Sequence, residues 1–189
     1  MTKKLKVLGI DVDGTLSDTM GKWLEFYKRD YDVEVSKEDM FLYNFSQIFP
    51  FVDMKIMRKY FEEVWDNWKD IDAIISEDDI TELNKLHKKF RIEIITSSWG
   101  NLENVKNWLE LHKINYNSLI YVKESLEKYK YCDILVDDKE KTVAEMLKHG
   151  KNGILLKQPW NFDTLNRHIP KEMKVCNSWS EVINVLKEI

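Results

Sequence analysis

The chain has 189 residues, of which 43% are apolar and 33% are charged, and its net charge is −4. This length suits one α/β domain with an inserted element and is too short for two full domains. The excess of acidic side chains and the dispersion of Lys and Arg argue against a nucleic-acid polymer or an anionic membrane as the partner.

The first predicted element is a short apolar strand that ends in acidic residues. Residues 7–10 are Val-Leu-Gly-Ile, and Asp11 and Asp13 follow at positions i and i+2. Gly14 then favours a turn, and a third aspartate, Asp18, closes the segment. Carboxylates crowded at one strand end repel one another, and a divalent cation is the usual remedy. The segment therefore predicts a metal-assisted phosphoryl-transfer site.

Residues 19–75 come next and show helical spacing without a strand signal. Helices are predicted near 19–31, 37–48 and 53–68. The region holds 13 of the 23 aromatic residues, which a small helical subdomain needs to build a core of its own. We therefore expect a core domain formed by 1–18 and 76–189, with a helical cap at 19–75 placed as a lid beside the acidic strand end.

The rest of the chain alternates apolar, β-branched runs with segments of helical spacing. Strands are predicted at 92–95, 134–136 and 153–156, with weaker candidates at 119–122 and 174–176. Helices are predicted at 78–88, 101–112, 139–149 and 179–188. This alternation predicts an α/β fold with a Rossmann-like parallel sheet and helices on both faces. Ligands of such sheets gather at the carboxyl ends of the strands.

The strand predicted at 92–95 is followed by three hydroxyl side chains, those of Thr96, Ser97 and Ser98. Just before a helix, these hydroxyls and the backbone amides are suited to hold a phosphate group. Simple capping of that helix by Ser98 or Asn101 explains the pattern equally well.

The strand predicted at 134–136 is followed by two adjacent carboxylates, Asp137 and Asp138. Helix capping explains one of them, whereas the pair, beside the strand that carries Asp11, favours metal ligation. A cation for phosphate charge is offered upstream by Lys123, Lys128 or Lys130.

Taken in order, four of these segments resemble the motifs of the haloacid dehalogenase (HAD) superfamily. Asp11-Val12-Asp13-Gly14-Thr15 resembles the first motif, Thr96 the second, Lys128 the third and Asp137-Asp138 the fourth. Lys123 is the alternative for the third motif, because lysines are frequent in this part of the chain. An aspartate at the second acidic position of the first motif, followed by Gly-Thr, is typical of the phosphatase branch.

The resemblance implies hydrolysis of a phosphate monoester through an aspartyl-phosphate. Asp11 would be the nucleophile, and Asp13 would protonate the leaving oxygen and later activate water. Thr96, Ser97 and Lys128 would bind the transferring phosphoryl group.

The resemblance also implies a Mg²⁺ cofactor. This hard cation prefers oxygen ligands and retains some of its water. It would be held by Asp11, by the main-chain carbonyl of Asp13 and by Asp138. Asp137 would bind it through water or orient the other ligands.

Two later segments narrow the resemblance to the 5′(3′)-deoxyribonucleotidases, the cytosolic type C 5′-nucleotidases. They are 155–161, Leu-Leu-Lys-Gln-Pro-Trp-Asn, and 175–182, Val-Cys-Asn-Ser-Trp-Ser-Glu-Val. This family implies a nucleoside monophosphate substrate whose base stacks on aromatic side chains of the cap. Phe41 and Tyr43 are the candidates for that stacking, whereas the base, the sugar and the position of the phosphate are not indicated.

Two other functions stay open. The first is a general phosphatase of small metabolites such as a sugar phosphate or phosphoglycolate, which the aromatic cap disfavours because sugars are usually held by polar hydrogen bonds. The second is a phosphate-binding regulator without turnover, which the complete set of motif residues disfavours. Exposed aromatic residues of the cap also leave a homodimer open.

The start of the chain and its cysteines predict a cytoplasmic protein. No apolar segment of the signal-peptide type follows the first four residues, and no apolar run approaches the roughly 18 residues of a membrane span. Cys132 and Cys176 are far apart and belong to no metal-binding pattern. We therefore expect two buried free thiols in a reducing compartment.

Overall fold

The fold is built on one sheet of six parallel strands. A computed structural model describes residues 4–40, 48–161, 170 and 172–189 of the chain. The strands are β1 (Lys6–Ile10), β2 (Phe90–Thr96), β3 (Ser118–Tyr121), β4 (Ile134–Asp137), β5 (Asn152–Leu156) and β6 (Lys174–Cys176). Their spatial order is β3-β2-β1-β4-β5-β6. The predicted parallel sheet is confirmed, including the two strands with the weaker signals, β3 and β6.

Helices lie between the strands and after the last one, and most of them begin at a polar side-chain cap. They are α1 (Thr19–Tyr31), α2 (Met54–Asp66), α3 (Glu77–Lys85), α4 (Leu102–Leu111), α5 (Glu140–Lys148) and α6 (Trp179–Glu188). At the start of five of them, a side-chain oxygen of the residue before the helix accepts a backbone N–H of the first turn. These capping residues are Asp18, Asp53, Ser76, Asn101 and Ser178. No helix in the described ranges is both long and apolar enough to cross a membrane.

Both faces of the central strands are buried, which explains their near-continuous apolar sequences. On one face, Leu8 of β1 belongs to the large apolar cluster that includes Trp108 of α4 and Val182 of α6. On the other face, Leu135 of β4 packs in a smaller cluster with Met146 of α5. Successive side chains of a strand alternate between the two faces, so one short run of sequence contributes to both cores.

The strand order places the ends of β1 and β4 side by side at the centre of the sheet. The chain adds β2 and β3 on one side of β1 and then returns to add β4, β5 and β6 on the other side. Such a reversal leaves a crevice outside the carboxyl ends of the two central strands, where ligands of open α/β sheets bind. The Asp11 N–H donates to the Val136 carbonyl at 3.0 Å, so the first acidic residue is held at this point.

The two ends of the inserted region lie side by side and are joined by backbone hydrogen bonds. The Asp18 N–H donates to the Asp72 carbonyl at 2.8 Å, and the Ile74 N–H donates to the Leu16 carbonyl at 2.8 Å. Between these points lie α1, α2 and short 3₁₀ turns at Lys37–Asp39 and Trp68–Asp70. In its described first residues, the helix predicted near 37–48 is a 3₁₀ turn whose C-cap is Met40, and residues 41–47 lie outside the described part of the chain. The division into a core and a cap at residues 18 and 75 stays a prediction.

An aromatic cluster joins the two long helices of the inserted region. The Trp23 ring of α1 stacks on Tyr27, with ring centroids 5.7 Å apart, and meets Phe49 and Tyr60 edge to face at 4.8 and 5.5 Å. Such offset and edge-to-face pairs add to the free energy gained from burying the rings. Many of the aromatic residues between 19 and 75 therefore build the local core expected from the sequence.

Candidate active site

Three carboxylates meet at the carboxyl ends of β1 and β4. Asp11 follows β1, Asp137 ends β4 and Asp138 follows it, and all three side chains are buried. One oxygen from each lies within 4.8 Å of the others. The structure thus brings Asp11 of the first motif together with Asp137 and Asp138 of the fourth.

One lysine neutralises part of this charge. The fully buried ammonium of Lys128, within a 3₁₀ segment (Ser125–Lys130), donates to Asp11 Oδ1 at 2.5 Å and to Asp137 Oδ2 at 2.7 Å. Burial by itself lowers the pKa of Lys128, but the two carboxylates outweigh burial and hold that pKa above its usual value. A cavity opens beside this cluster, and Lys123 is exposed at its rim. Of the two lysines considered for the third motif, Lys128 contacts the motif carboxylates.

The remaining charge disfavours ionisation of the cluster. Burial, and then the repulsion of Asp137, raise the pKa of Asp11 to about 6 even with Lys128 beside it. Burial, followed by repulsion from Asp137 and Asp11, raises the pKa of Asp138 to about 8. Three converging carboxylates with one ammonium are suited to a hard divalent cation, which would keep them ionised. The donor set therefore fits the Mg²⁺ site expected from the sequence, with these three aspartates as candidate ligands.

Asp13 lies apart from the cluster, at the base of the cavity. The Trp65 indole N–H donates to Asp13 Oδ1 at 2.9 Å. Burial raises the pKa of Asp13, whereas the neutral polar groups of Ser98, Trp65 and Thr19 beside the carboxylate oppose that rise. Asp11 and Asp13 therefore occupy different environments, one ion-paired and one held by neutral donors.

The hydroxyl loop after β2 is folded by its own side chains. Thr96 Oγ1 accepts the Ser98 N–H at 3.0 Å, and Ser98 Oγ accepts the Gly100 N–H at 3.1 Å. Asn101 provides the cap of α4, since its Oδ1 accepts the Glu103 N–H at 2.9 Å. Ser97 and Ser98 line the cavity, whereas Thr96 is fully buried beneath them.

Two residues that the sequence reasoning did not place hold Asp138. The Trp160 indole donates to Asp138 Oδ2 at 2.6 Å, and the Asn161 amide donates to the Asp138 carbonyl at 2.9 Å. Gln158 of the same segment donates to the Gly14 carbonyl at 3.0 Å. Gly14 has a φ of 75°, and a Cβ there would lie 2.7 Å from Asp138 Oδ2, so this turn requires glycine.

The only sequence signal for these contacts was the family-like run Gln158-Pro159-Trp160-Asn161. Trp65 had no signal of its own, since the sequence shows it only as one of the 13 aromatic residues between 19 and 75. Polar aromatic side chains need a partner for their N–H when they are buried, but the partner itself is not encoded locally.

A cavity of about 340 Å³ opens above these groups. Asp11, Asp13 and Asp138 contribute to its lining on the sheet side, with Lys139 and Trp160 beside them. The helical side supplies Met20, Met57 and Phe61, and the loop after β2 adds Trp99. The Phe61 and Trp99 rings meet edge to face with centroids 5.7 Å apart.

Phe41 and Tyr43, the candidates for base stacking, lie outside the described residues.

Comparison with known families gives one match over nearly the whole chain. The family described as "5' nucleotidase, deoxy (Pyrimidine), cytosolic type C protein" matches residues 5–189. No curated protein matches the sequence.

Solved structures share the fold at low sequence identity. A predicted phosphoglycolate phosphatase from Haemophilus somnus is 11% identical with a TM-score of 0.64, over 98% of this chain and 99% of its own. CbbY from Rhodobacter sphaeroides, in complex with phosphate, is 16% identical with a TM-score of 0.59, over 95% and 96%. YfnB from Bacillus subtilis, a putative HAD hydrolase bound to magnesium, is 12% identical with a TM-score of 0.58, over 98% and 100%.

Proposed function

Because the chain belongs to the family of cytosolic type C 5′-deoxynucleotidases, within the HAD-like phosphatases, we propose that it is a Mg²⁺-dependent hydrolase of nucleoside monophosphates in the cytoplasm. This proposal depends on the buried cluster of Asp11, Asp137, Asp138 and Lys128, because Asp11 and Asp138 of this cluster line the same cavity as Asp13. A nucleophile, a cation site and a separate acid/base group therefore face the same space.

The first half-reaction transfers the phosphoryl group to Asp11. A carboxylate oxygen of Asp11 forms a bond to phosphorus while the bond from phosphorus to the ester oxygen breaks. Protonated Asp13 gives its proton to that departing oxygen, so the nucleoside leaves as an alcohol. The rise in the pKa of Asp13 through burial favours the protonated form that this step needs.

The second half-reaction returns Asp11 to its starting state. Asp13, now a carboxylate, takes a proton from water as the water oxygen attacks phosphorus. The bond between phosphorus and Asp11 breaks, and inorganic phosphate is released. One group thus serves first as acid and then as base, and hydrolysis is divided into two displacements.

Charge on the transferring group is met by several groups at the strand ends. Lys128 lies against Asp11, and Ser97 with the loop after β2 lines the cavity beside it. Thr96, beneath this loop, is assigned to the same phosphate site. A bound Mg²⁺ would add electrostatic stabilisation of the phosphoryl oxygens. Asp11, the main-chain carbonyl of Asp13 and Asp138 would hold it, and Asp137 would bind it through water or orient the other ligands.

The nucleotide preference rests on the family and on the apolar wall of the cavity. Phe61, Trp99 and Met57 offer flat or polarizable surfaces on which a base can stack. A small sugar phosphate would leave much of this wall uncovered.

The test is a phosphate-release screen with Mg²⁺ present. We would compare 5′ and 3′ nucleoside monophosphates, ribo and deoxy, with ribose 5-phosphate and 2-phosphoglycolate. We expect kcat/KM for the preferred nucleotide to exceed that for the small phosphates by about tenfold or more, the value of stacking one base. Equal values would contradict the nucleotide preference, and no turnover of any phosphate would favour a binding protein without catalysis.

Asp11→Asn is the control for the nucleophile. It preserves the shape of the side chain but removes the attacking carboxylate, so activity should fall roughly 10⁴-fold or more. If this variant hydrolysed para-nitrophenyl phosphate as well as the wild type, Asp11 would not be the nucleophile.

A further inference from the structure

The hydrogen bond from Trp65 to Asp13 crosses from the inserted helices to the sheet edge. Trp65 lies in the last turn of α2, is fully buried, and stands 52 residues from Asp13 in sequence. Its indole N–H is 2.9 Å from Asp13 Oδ1. This contact therefore links the helical region to the group assigned as the general acid.

The indole is held firmly from two further sides. Trp108 of α4 meets the Trp65 ring edge to face, with centroids 6.4 Å apart and planes at 87°. The loop after β2 passes so close at Gly100 that a Cβ there would lie 2.2 Å from Trp65 Cγ. Glycine at this position lets the backbone touch the ring, and the ring cannot swing away without disturbing both neighbours.

The chemistry of the donor distinguishes the two oxygens of Asp13. The hydroxyls of Ser98 and Thr19 can donate or accept, but an indole N–H can only donate. When Asp13 is protonated, the oxygen that accepts the indole N–H is favoured as the one without the proton, and that oxygen is Oδ1. The proton is therefore favoured on Oδ2.

We propose that Trp65 is a positioning residue that fixes Asp13 Oδ1 and so presents the acid proton on Oδ2 to the leaving-group oxygen. The inference depends on the acid role of Asp13 in the proposed function. Trp65 does not exchange a proton itself, and the atoms of the first half-reaction are unchanged. Its effect is confined to the orientation of the carboxyl group when the ester bond breaks.

The test compares leaving groups that need a proton with one that does not. Phenyl phosphate releases a basic phenolate and depends on the acid, whereas 2,4-dinitrophenyl phosphate releases a stable anion. The quantity is kcat/KM, which includes steps only up to departure of the leaving group. In Trp65→Phe we expect the ratio of kcat/KM for phenyl over dinitrophenyl phosphate to fall about 10- to 100-fold, a part of the usual contribution of a general acid.

The ratio is measured on one preparation, so it does not depend on the fraction of protein that is folded. Gly100→Ala keeps the indole but pushes it from its place, and we expect a fall in the same ratio. Tyr60→Phe is the matched control, because it removes a buried donor of the same helix, whose hydroxyl donates to Asp30 Oδ2 at 2.6 Å and not to Asp13. Its ratio should stay within about twofold of the wild-type value.

A wild-type ratio in Trp65→Phe would overturn the inference. If kcat/KM fell equally for both substrates, Trp65 would only support the fold, and if it fell for neither, Trp65 would not act on Asp13. If Asp13→Asn itself left the ratio unchanged, Asp13 would not be the acid, and the proposed mechanism would fail together with the inference. A large fall in Asp13→Asn without one in Trp65→Phe would reject the inference alone.

Discussion

The two sides of the cavity differ in the charge of their side chains. On the sheet side, Asp11, Asp137, Asp138 and Lys128 are charged or ionisable groups buried at the ends of β1 and β4. On the helical side, Met57, Phe61 and Trp65 are neutral. The Trp65 N–H reaches across to Asp13 from this neutral side.

This difference separates two tasks. Buried charges interact strongly because little water screens them, so the sheet side can bind a cation and stabilise a phosphoryl group. They also cost stability when they are unpaired. Neutral aromatic side chains avoid that cost and can hold and select a substrate by shape and stacking. The following variants test this division, beginning with the largest expected effect.

Lys128→Met tests the sheet side. Without Lys128, Asp11 and Asp137 keep no ammonium between them in a buried site, so we expect a loss of about 3–5 kcal/mol in the free energy of unfolding. The measurement is urea denaturation at pH 7 in EDTA, where no added cation replaces the lysine.

Lys123→Met is the matched control for that substitution. Lys123 is exposed at the rim, and its replacement should change the free energy of unfolding by less than about 0.5 kcal/mol. Similar losses in the two variants would contradict the distinction between a buried ion pair and a solvated lysine.

Trp99→Ala tests the apolar side. Trp99 packs edge to face on Phe61 and is 37% exposed in the cavity wall, so its ring is available to a substrate. We expect KM for the preferred nucleoside monophosphate to rise about tenfold, with little change for ribose 5-phosphate, because stacking is lost. Steady-state kinetics on both substrates measure the difference.

Tyr131→Ala provides the comparison for Trp99→Ala. Tyr131 is another exposed aromatic residue, 45% accessible, but it lies in a separate groove beside β2 and β3. It should leave both KM values unchanged. A rise in KM for ribose 5-phosphate as large as that for the nucleotide would show that Trp99 does not recognise the base.

Asp138→Asn tests the cost of the carboxylate cluster. The pKa of Asp138 is about 8 in the folded protein, above the ordinary 3.8. A raised pKa contributes stability that is full below about pH 4 and is lost as the pH rises towards 8. Asparagine does not ionise and avoids that loss. In EDTA, the variant should therefore gain on the order of 1 kcal/mol relative to wild type for each pH unit between pH 4 and pH 8.

Added Mg²⁺ should reverse the order of the two proteins. The cation binds the folded wild type and raises its melting temperature, whereas Asp138→Asn has lost a ligand and should respond less. If the difference in the free energy of unfolding between Asp138→Asn and wild type did not change between pH 4 and pH 8, the raised pKa of Asp138 would be contradicted. An equal response to Mg²⁺ would contradict Asp138 as a ligand.

The sheet and the acidic strand ends could be predicted because their signals are local. A buried parallel strand is a short apolar run, and the polar residues that follow it mark its carboxyl end. The weakest strands, β3 and β6, were also found, since alternation with helices indicated where strands belong. The helical region was harder, because packing between helices determines which aromatic rings face the cavity.

The sequence by itself determined the order of the motifs, the parallel α/β fold and the aspartates at the strand ends, since each depends on residues close together in the chain. The tertiary structure decided that Lys128 rather than Lys123 contacts Asp11, across 117 positions, and that Trp65 and Trp160 hold Asp13 and Asp138. Each of these contacts joins segments 22 to 117 positions apart in the sequence, which the sheet and the helices packed on it bring together. Local sequence patterns carry no information about such distances, because the packing of the whole chain sets them.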